Sequence, residues 1–186
     1  MVDGREYPIN SDFRTGILFE MLIYDREVSN EQKCRQIFDL YFDEHAGDVP
    51  KTKEAIDAVL AFYRCGKQEK RTTRDSEESE QQPKQIYDYG YDDAYIFAAF
   101  LDQYGIDLNE IEYLHWWKFR ALFGALKSDQ KIIEIMGYRA ADLSKIKDKK
   151  ERSRIARMKA IHALPNPETP EEKAARAAML FSGGII

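Results

Sequence analysis

The chain has 186 residues, of which 44% are hydrophobic and 33% are charged, and its formal net charge is −5. A chain of this size can bury a real core, so we expect one domain, or one domain with a small helical appendage. The negative charge excludes a molecule that attracts nucleic acid through its overall field, and no apolar run approaches the ~20 residues needed to cross a bilayer. We therefore expect a cytosolic protein without a membrane partner.

Residues 1–66 have the pattern of a helical unit. The turn signal Asp3-Gly4 predicts at most one short N-terminal β-hairpin. Three amphipathic helices follow, with predicted bounds of about 13–25, 31–43 and 53–64. Their apolar stripes are Ile17, Leu18, Met21 and Leu22; Cys34, Ile37, Phe38 and Tyr41; and Ala55, Ile56, Val59, Leu60, Phe62 and Tyr63. Helices this short are stable only when such stripes are buried against one another.

The chain then changes character. Residues 67–86 are polar and charged, which predicts a flexible linker, because such a segment cannot bury enough apolar surface to fold. Residues 87–140 are rich in aromatic side chains and are predicted to form a second helical part that packs on the first. Residues 141–186 are predicted to form peripheral helices, and the first of these is basic. The expected fold is therefore mainly α, an irregular multi-helix bundle.

Five helices are predicted after the linker, and several of them have a plausible cap at the start or a glycine or proline near the end. Their predicted bounds are about 92–104, 110–126, 130–136, 148–163 and 169–180. The helix over 110–126 is apolar on nearly all sides, and such a helix is buried on most of its circumference. It is therefore either a central core helix or part of an interface. Both roles stay open for Trp116 and Trp117, because adjacent residues of a helix point about 100° apart.

The sequence contains no recognisable catalytic or metal-binding pattern. His115 shares a predicted helical stripe with Glu112 and Lys118, which we interpret as a surface row of ion pairs. Cys34 and Cys65 are interpreted as small buried side chains with reduced thiols. No paired-Cys or two-His metal spacing, phosphate loop or nucleophile elbow is present. We therefore expect no catalytic residues, no cofactor, no metal site and no enzymatic activity.

Four motifs occur in the order INSDFR (9–14), YGIDL (104–108), LHWWKF (114–119) and IMGYR (135–139). Together they resemble a family of tailed-phage and prophage proteins, the bacteriophage gp fifteen proteins, and the LHWWKF motif is the most specific. Genes of that family typically lie between those of the major tail protein and the tape-measure protein. The resemblance implies a tail-assembly chaperone in the cytoplasm of the bacterial host, with tail proteins, above all the tape-measure protein, as partners.

Three functions are compatible with these patterns. The first is a chaperone or adaptor that covers the apolar stripes of the tape-measure protein in an aromatic groove. The residues expected to build or line that groove are Tyr95, Phe100, Trp116, Trp117 and Phe123. The second is a structural tail subunit that self-associates into a homo-oligomer. The third is a DNA-binding regulator that uses basic residues 145–159, although acidic residues are interspersed there and aromatic residues for stacking are absent.

Overall fold

The computed structural model describes residues 2–42, 48–67 and 85–165, which form seven α-helices. The helices are α1 (Phe13–Tyr24), α2 (Asn30–Tyr41), α3 (Lys53–Tyr63), α4 (Asp93–Tyr104), α5 (Trp116–Gly124), α6 (Lys131–Ala140) and α7 (Lys149–Ile161). A 3-10 turn over Leu143–Lys145 precedes α7. The mainly α prediction is confirmed. The predicted helix over 169–180 and most of the predicted linker lie outside the described residues.

The helices pack in a chain of neighbours. α1 packs on α2 and on α5, α2 packs on α3, α4 packs on α6, and α6 packs on α7. α5 supplies the centre of the main hydrophobic core through Trp116, Phe119 and Phe123. A second core cluster lies between α1, α2 and α3 around Phe19 and Tyr41. α1 is thus the element that joins the first three helices to α5.

Local capping chemistry sets most of the helix ends. The Asp12 carboxylate accepts the Arg14 N–H at 2.9 Å to begin α1, and Ser29 forms a reciprocal capping box with Gln32 at the start of α2. α4 ends at Gly105, whose φ of 63° lies in the left-handed region that suits glycine. These ends agree with the predicted bounds to within two residues because they depend on short sequence signals.

The predicted N-terminal β-hairpin is wrong. Asp3 and Gly4 do form a turn, with φ angles of 48° and 71°, and Val2 and Arg5 exchange two backbone hydrogen bonds of 2.9 Å. Pairing stops at this single bridge, and no strand occurs in the described residues. The chain instead runs past the end of α2, where the Asn10 N–H donates to the Tyr41 carbonyl at 2.8 Å. This backbone N–H is therefore hydrogen-bonded without a second β-strand.

The predicted helix over 110–126 is also wrong, because α5 begins only at Trp116. His115 is its cap, and the imidazole Nδ1 accepts the Trp117 N–H at 3.1 Å. The backbone before His115 forms hydrogen bonds with another part of the chain: the Leu114 carbonyl accepts the N–H of Phe13, at the start of α1, at 2.8 Å. These tertiary bonds occupy groups that a longer helix would need. The predicted ion-pair row through His115 fails for the same reason.

Two smaller predictions differ from the structure. α6 continues to Ala140 rather than ending near Met136, because Gly137 is accommodated inside the helix. Cys34 is exposed rather than buried in the apolar stripe of α2, whereas Cys65 is partly buried. The buried residues of α2, Ile37, Phe38 and Tyr41, all lie in its second half, whereas Cys34 lies nearer its start and faces solvent.

Candidate partner-binding groove

α1 turns much of its apolar surface outward. Leu18 and Met21 are 51% and 44% exposed, Tyr24 is also exposed, and Ile17 is only partly buried. Of the predicted stripe of α1, only Leu22 is buried, so the predicted orientation of this helix is wrong. We call the exposed row Ile17, Leu18, Met21 and Tyr24 the α1 ridge.

Gly16 and Glu20 explain why α1 has this orientation. A Cβ atom added at Gly16 would lie 2.2–2.7 Å from carbons of the Trp116 indole, so only glycine allows this contact. Glu20, one turn later, is buried and accepts a hydrogen bond from the Tyr63 hydroxyl. Because a small and a charged residue face the core, the apolar residues on the other side of α1 face solvent.

A groove lies between α1 and α4, which we call the α1–α4 groove. It has a volume of about 220 Å³, and its lining is mostly apolar with a few polar side chains at the rim. The lining residues are Phe13, Arg14, Ile17, Tyr89, Asp93, Ile96, Phe97, Leu108 and Asn109. Leu101 of α4 is also exposed, so both helices that flank the groove present apolar side chains to solvent.

A second cleft lies on the other side of the α1 ridge, between α1 and α2. It has a volume of about 300 Å³ and is lined by Leu18, Leu22, Gln36, Asp39 and Leu40. The ridge is therefore flanked by apolar recesses on both sides. This is the geometry into which the apolar side of a foreign helix can insert.

The structure separates the predicted aromatic site residues into two groups. Phe100, Trp116 and Phe123 are buried, with ring centroids 5.0, 5.8 and 6.2 Å from that of Phe119. The ring of Phe13, which lines the groove, stacks on the same Phe119 ring at 5.1 Å. The buried three therefore support the floor of the groove.

Tyr95 and Trp117 lie apart from this stack and are 39% and 42% exposed. The Trp117 indole stacks on Phe62 at 5.7 Å, and its Nε1–H donates to the Phe62 carbonyl at 2.7 Å. Phe62 also borders a third cavity, of about 190 Å³, between α3 and the N-terminal segment. Trp117 therefore covers the end of α3, away from the residues that line the α1–α4 groove.

Sequence reasoning missed Ile17 and Phe97, which line the α1–α4 groove, and Leu18, which is exposed on the α1 ridge. A usable signal was present: α1 carries more apolar residues than one buried side can hold. Phe13, Phe19 and Leu22 already fill the side that faces the core. The excess indicates a helix that contacts protein on two sides.

A polar cluster inside the molecule was also missed. The Glu20 carboxylate accepts from the Tyr63 hydroxyl and lies 3.6 Å from Arg120, whose Nη1 also donates to the Tyr87 hydroxyl at 3.2 Å. Burial, reinforced by Glu20, raises the pKa of Tyr87 to about 12 and raises that of Tyr63 further. Both phenols therefore stay protonated at neutral pH. The Tyr63 hydroxyl donates to Glu20, and Arg120 lies beside the same carboxylate and donates to Tyr87, so the cluster ties α1, α3 and α5 together.

A buried ion pair joins α6 to the start of α4 and to the end of α7. Arg139 binds Asp92 through two hydrogen bonds of 2.6 and 2.9 Å, and both side chains are almost fully buried. The Arg139 Nε–H also donates to the His162 carbonyl at 2.6 Å, and the guanidinium lies 5.9 Å from the Tyr91 ring. This arrangement places the end of α7 next to the start of α4.

α7 is basic and has no buried residue. Lys149, Lys150, Arg152 and Arg157 are exposed, whereas Arg154 pairs with an acidic neighbour on the same helix. Within the described ranges, no group of three or more His, Cys, Asp or Glu side chains is placed to hold a metal ion. No helix in the part of the chain that the structure describes is long and apolar enough to cross a bilayer.

Comparison with known proteins gives one match. The family model described as "Bacteriophage Gp15 protein" matches residues 1–164, which include all seven helices and the whole α1–α4 groove. Neither the curated proteins nor the solved structures compared with the chain include a match.

Proposed function

The chain belongs to the Bacteriophage Gp15 protein family, and from that premise we propose that it is a tail-assembly chaperone or adaptor. In this proposal, the α1 ridge and the α1–α4 groove bind an apolar helix of a tail protein during morphogenesis. The partner we propose is the tape-measure protein, because it is long and helical and because genes of this family typically lie beside its gene. The chaperone acts in the cytoplasm of the bacterial host.

The exposed α1 ridge is the observation that carries this proposal. Burial of a large apolar side chain contributes about 1.5–3 kcal/mol, so covering the half-exposed Leu18 and Met21 gains roughly 1 kcal/mol each. Apolar recesses on both sides of the ridge add further area. A helix with apolar residues at i, i+3, i+4 and i+7 can place them over the ridge and into the groove.

The predicted aromatic residues take different parts in this proposal. Phe100, Trp116 and Phe123 build the floor that holds Phe13 in place. Tyr95 and Trp117 are exposed but do not line the groove. The tail-protein helix therefore contacts the α1 ridge rather than the LHWWKF motif, whose function is to orient α1 through the contact between Trp116 and Gly16.

Co-expression with the neighbouring tape-measure protein tests the proposal. We expect the wild-type chain to increase the soluble fraction of that protein and Leu18→Glu to abolish the increase. Ile161→Glu is the matched control, because Ile161 is 58% exposed but lies on α7. Equal solubility of the tape-measure protein with and without the wild-type chain would refute the proposal.

The same ridge also supports a second candidate, a structural tail subunit that self-associates. Isologous contact of two ridges would bury the same side chains. Measurement of mass in solution separates the two functions, since a stable monomer contradicts self-association. A permanent place in purified virions would favour the structural subunit over the chaperone.

The exposed basic surface of α7 favours a third candidate, a DNA-binding regulator. Most of its cations are exposed, but Asp148 and Glu151 are interspersed among them and Arg154 is held by Glu151 at 2.8 Å. Binding to duplex DNA should then weaken steeply as salt rises. Absence of binding at low salt would remove this candidate.

A further inference from the structure

The walls of the α1–α4 groove are acidic. Residues 12–25 and 88–112, which include α1, α4 and the turns at their ends, contain ten aspartates and glutamates but only one lysine or arginine, Arg14. Two of the ten acids, Glu20 and Asp92, are buried and lie against arginines. The other eight are partly or fully exposed, so the apolar groove has a negatively charged border.

The nearby cations do not neutralise this border, because protein groups already bind them. The Arg14 guanidinium lies 3.2 Å from the Asp12 carboxylate and donates to the Ile111 carbonyl at 2.7 Å. Lys33 of α2 reaches the end of α1, where it donates to the Ile23 carbonyl at 2.8 Å. The border therefore keeps most of its negative charge for a partner.

Carboxylates flank the α1 ridge on both sides. Asp93 lines the α1–α4 groove, and the exposed Asp39 lines the cleft between α1 and α2. A third carboxylate lies at one end of the ridge: a Cβ atom added at Gly90 would lie 3.2 Å from the terminal methyl of Met21 and 3.4 Å from the Asp88 Oδ1. This surface is complementary to a helix with cations on both sides of an apolar stripe.

We propose that the helix bound at the α1 ridge is basic and amphipathic, with lysine or arginine side chains on both sides of its apolar stripe. Because α1 is about 10–12 Å across, a helix that lies over it has one recess on each side. Cations on its two flanks then pair with Asp93 in the groove and with Asp39 in the cleft. That this helix belongs to a tail protein rests on the function proposed above, whereas the charge preference of the groove does not.

Other occupants fit this surface less well. A nucleic acid or an anionic lipid surface is repelled by the acidic border. The α1 ridge of a second copy would bring two acidic borders together. α7 of a second copy is basic, but Ile161 is its only large apolar side chain that is well exposed, so it would leave the recesses unfilled. A separate basic amphipathic helix matches both the apolar recesses and the charge around them.

Three synthetic helical peptides test the charge preference of the full chain. They share a leucine stripe at i, i+3, i+4 and i+7 and differ only in the flanking residues, which are lysine, glutamine or glutamate. We expect the lysine peptide to bind about tenfold more tightly than the glutamine peptide, since each exposed ion pair changes affinity by about two- to fivefold. The glutamate peptide should bind most weakly. Isothermal titration calorimetry measures the three affinities, and equal binding of the lysine and glutamine peptides overturns the inference.

The contribution of salt should stay small even for the lysine peptide. Its ion pairs are few and exposed, so an increase from about 50 mM to about 200 mM salt should lower its affinity only about twofold. Loss of the whole preference for lysine over glutamine at about 200 mM salt would mean that no ion pair forms at the ridge, and the inference would fail.

Single substitutions locate the preference. Asp93→Asn should weaken the lysine peptide about threefold and leave the glutamine peptide unchanged, and Asp39→Asn should act likewise. Asparagine keeps an oxygen that can accept the Ala94 N–H, which Asp93 binds at 2.7 Å, so the fold is retained. Asp57→Asn is the matched control, because it removes the same charge from an exposed site on α3. If it weakens the lysine peptide as much as Asp93→Asn does, only the net charge of −5 attracts the peptide, and the inference is wrong.

The mass of the chain in solution tests the competing occupant. We expect no association that depends on α7. Association that Arg157→Glu abolishes would identify α7 of a second copy as the occupant of the groove and would overturn the inference.

The tape-measure protein separates this inference from the proposed function. Asp93→Asn should lower the affinity for that protein about threefold. If the wild-type chain keeps the tape-measure protein soluble but the three peptides bind alike, the inference fails and the proposed function stands. If the lysine peptide is preferred through Asp93 but the tape-measure protein neither binds nor becomes more soluble, the charge preference stands and the proposed function fails.

Discussion

Gly16 is the residue that decides how closely α1 approaches α5. Its missing side chain lets the Trp116 indole lie against the α1 backbone, and the indole Nε1–H then donates to the Tyr63 carbonyl at 2.8 Å. The close contact also fixes the rotation of α1 and, with it, the direction of the ridge. A glycine that would ordinarily weaken a helix is therefore required by packing here.

Substitution of this glycine has a defined consequence. Gly16→Ala should lower the free energy of unfolding by about 1–3 kcal/mol, because a methyl group cannot fit against the indole without displacing α1. Gly137→Ala is the matched control: a Cβ there meets nothing within 4 Å, so the change should stabilise α6 by about 0.5–1 kcal/mol. Urea denaturation measures both. A neutral Gly16→Ala would show that α1 is not held in this position.

Asp92 and Arg139 form a second critical contact at the scale of single residues. Asp92→Asn should lower the free energy of unfolding by about 3–5 kcal/mol, because it leaves a buried guanidinium without a counter-charge. Glu151→Gln removes the exposed partner of Arg154 and should change stability too little to measure. Equal effects of the two substitutions would contradict the buried pair.

The buried tyrosines predict how stability depends on pH. Burial raises the pKa of Tyr87 to about 12 and also raises those of Tyr63 and Tyr89. A raised folded-state pKa means that the stabilisation is complete below the unfolded value near 10 and is lost as pH rises through the folded value. Urea denaturation should therefore show falling stability above about pH 10. Tyr87→Phe should make the fall shallower, and an unchanged slope would count against this burial.

At the scale of elements, the helices form where local rules predict them, but tertiary contacts decide which side is buried. The first four helices begin and end near their predicted positions because caps such as Ser29 and Gly105 are encoded locally. The orientation of α1 could not be predicted, since it depends on Gly16 meeting Trp116, which lies far away in the sequence. For the same reason, the groove between α1 and α4 was not predictable from either helix alone.

The start of α5 was also not predictable from the sequence pattern, because backbone hydrogen bonds to a distant segment set it. Residues 110–115 are apolar enough to continue the helix, yet the backbone at Leu114 bonds to the start of α1. The Asp12 carboxylate serves both segments, since it caps α1 and also accepts the Leu114 N–H at 3.2 Å. Periodicity along a sequence carries no information about such a partner, so the predicted helix was too long.

The orientation of α1 can be tested by two substitutions at neighbouring positions. Leu18→Glu should change the free energy of unfolding by less than about 0.5 kcal/mol, because Leu18 is already half exposed. Phe19→Ala should cost about 3–5 kcal/mol, because Phe19 is buried against Tyr41 and Tyr63. Chemical denaturation compares them directly. A strongly destabilising Leu18→Glu would mean that the ridge faces the core.

At the scale of the whole molecule, apolar and charged binding surfaces are separate. The α1–α4 groove is mainly apolar, with Arg14 and Asp93 at its rim, whereas α7 presents most of the exposed lysines and arginines of the region after α6. Arg139 connects the two regions through the end of α7. Each surface therefore predicts a different response of binding to salt.

Salt dependence identifies the surface that the tail protein uses. Apolar binding in the groove should change little between about 50 mM and about 200 mM salt, whereas contacts through α7 to a polyanion would weaken by orders of magnitude over that range. Binding should also show a negative heat-capacity change, the marker of apolar burial. Arg157→Glu, which reverses an exposed charge on α7, should leave the affinity unchanged. Isothermal titration calorimetry at both salt concentrations and at several temperatures measures all three quantities. A steep loss of affinity with salt that Arg157→Glu reproduces would transfer the binding site from the groove to α7.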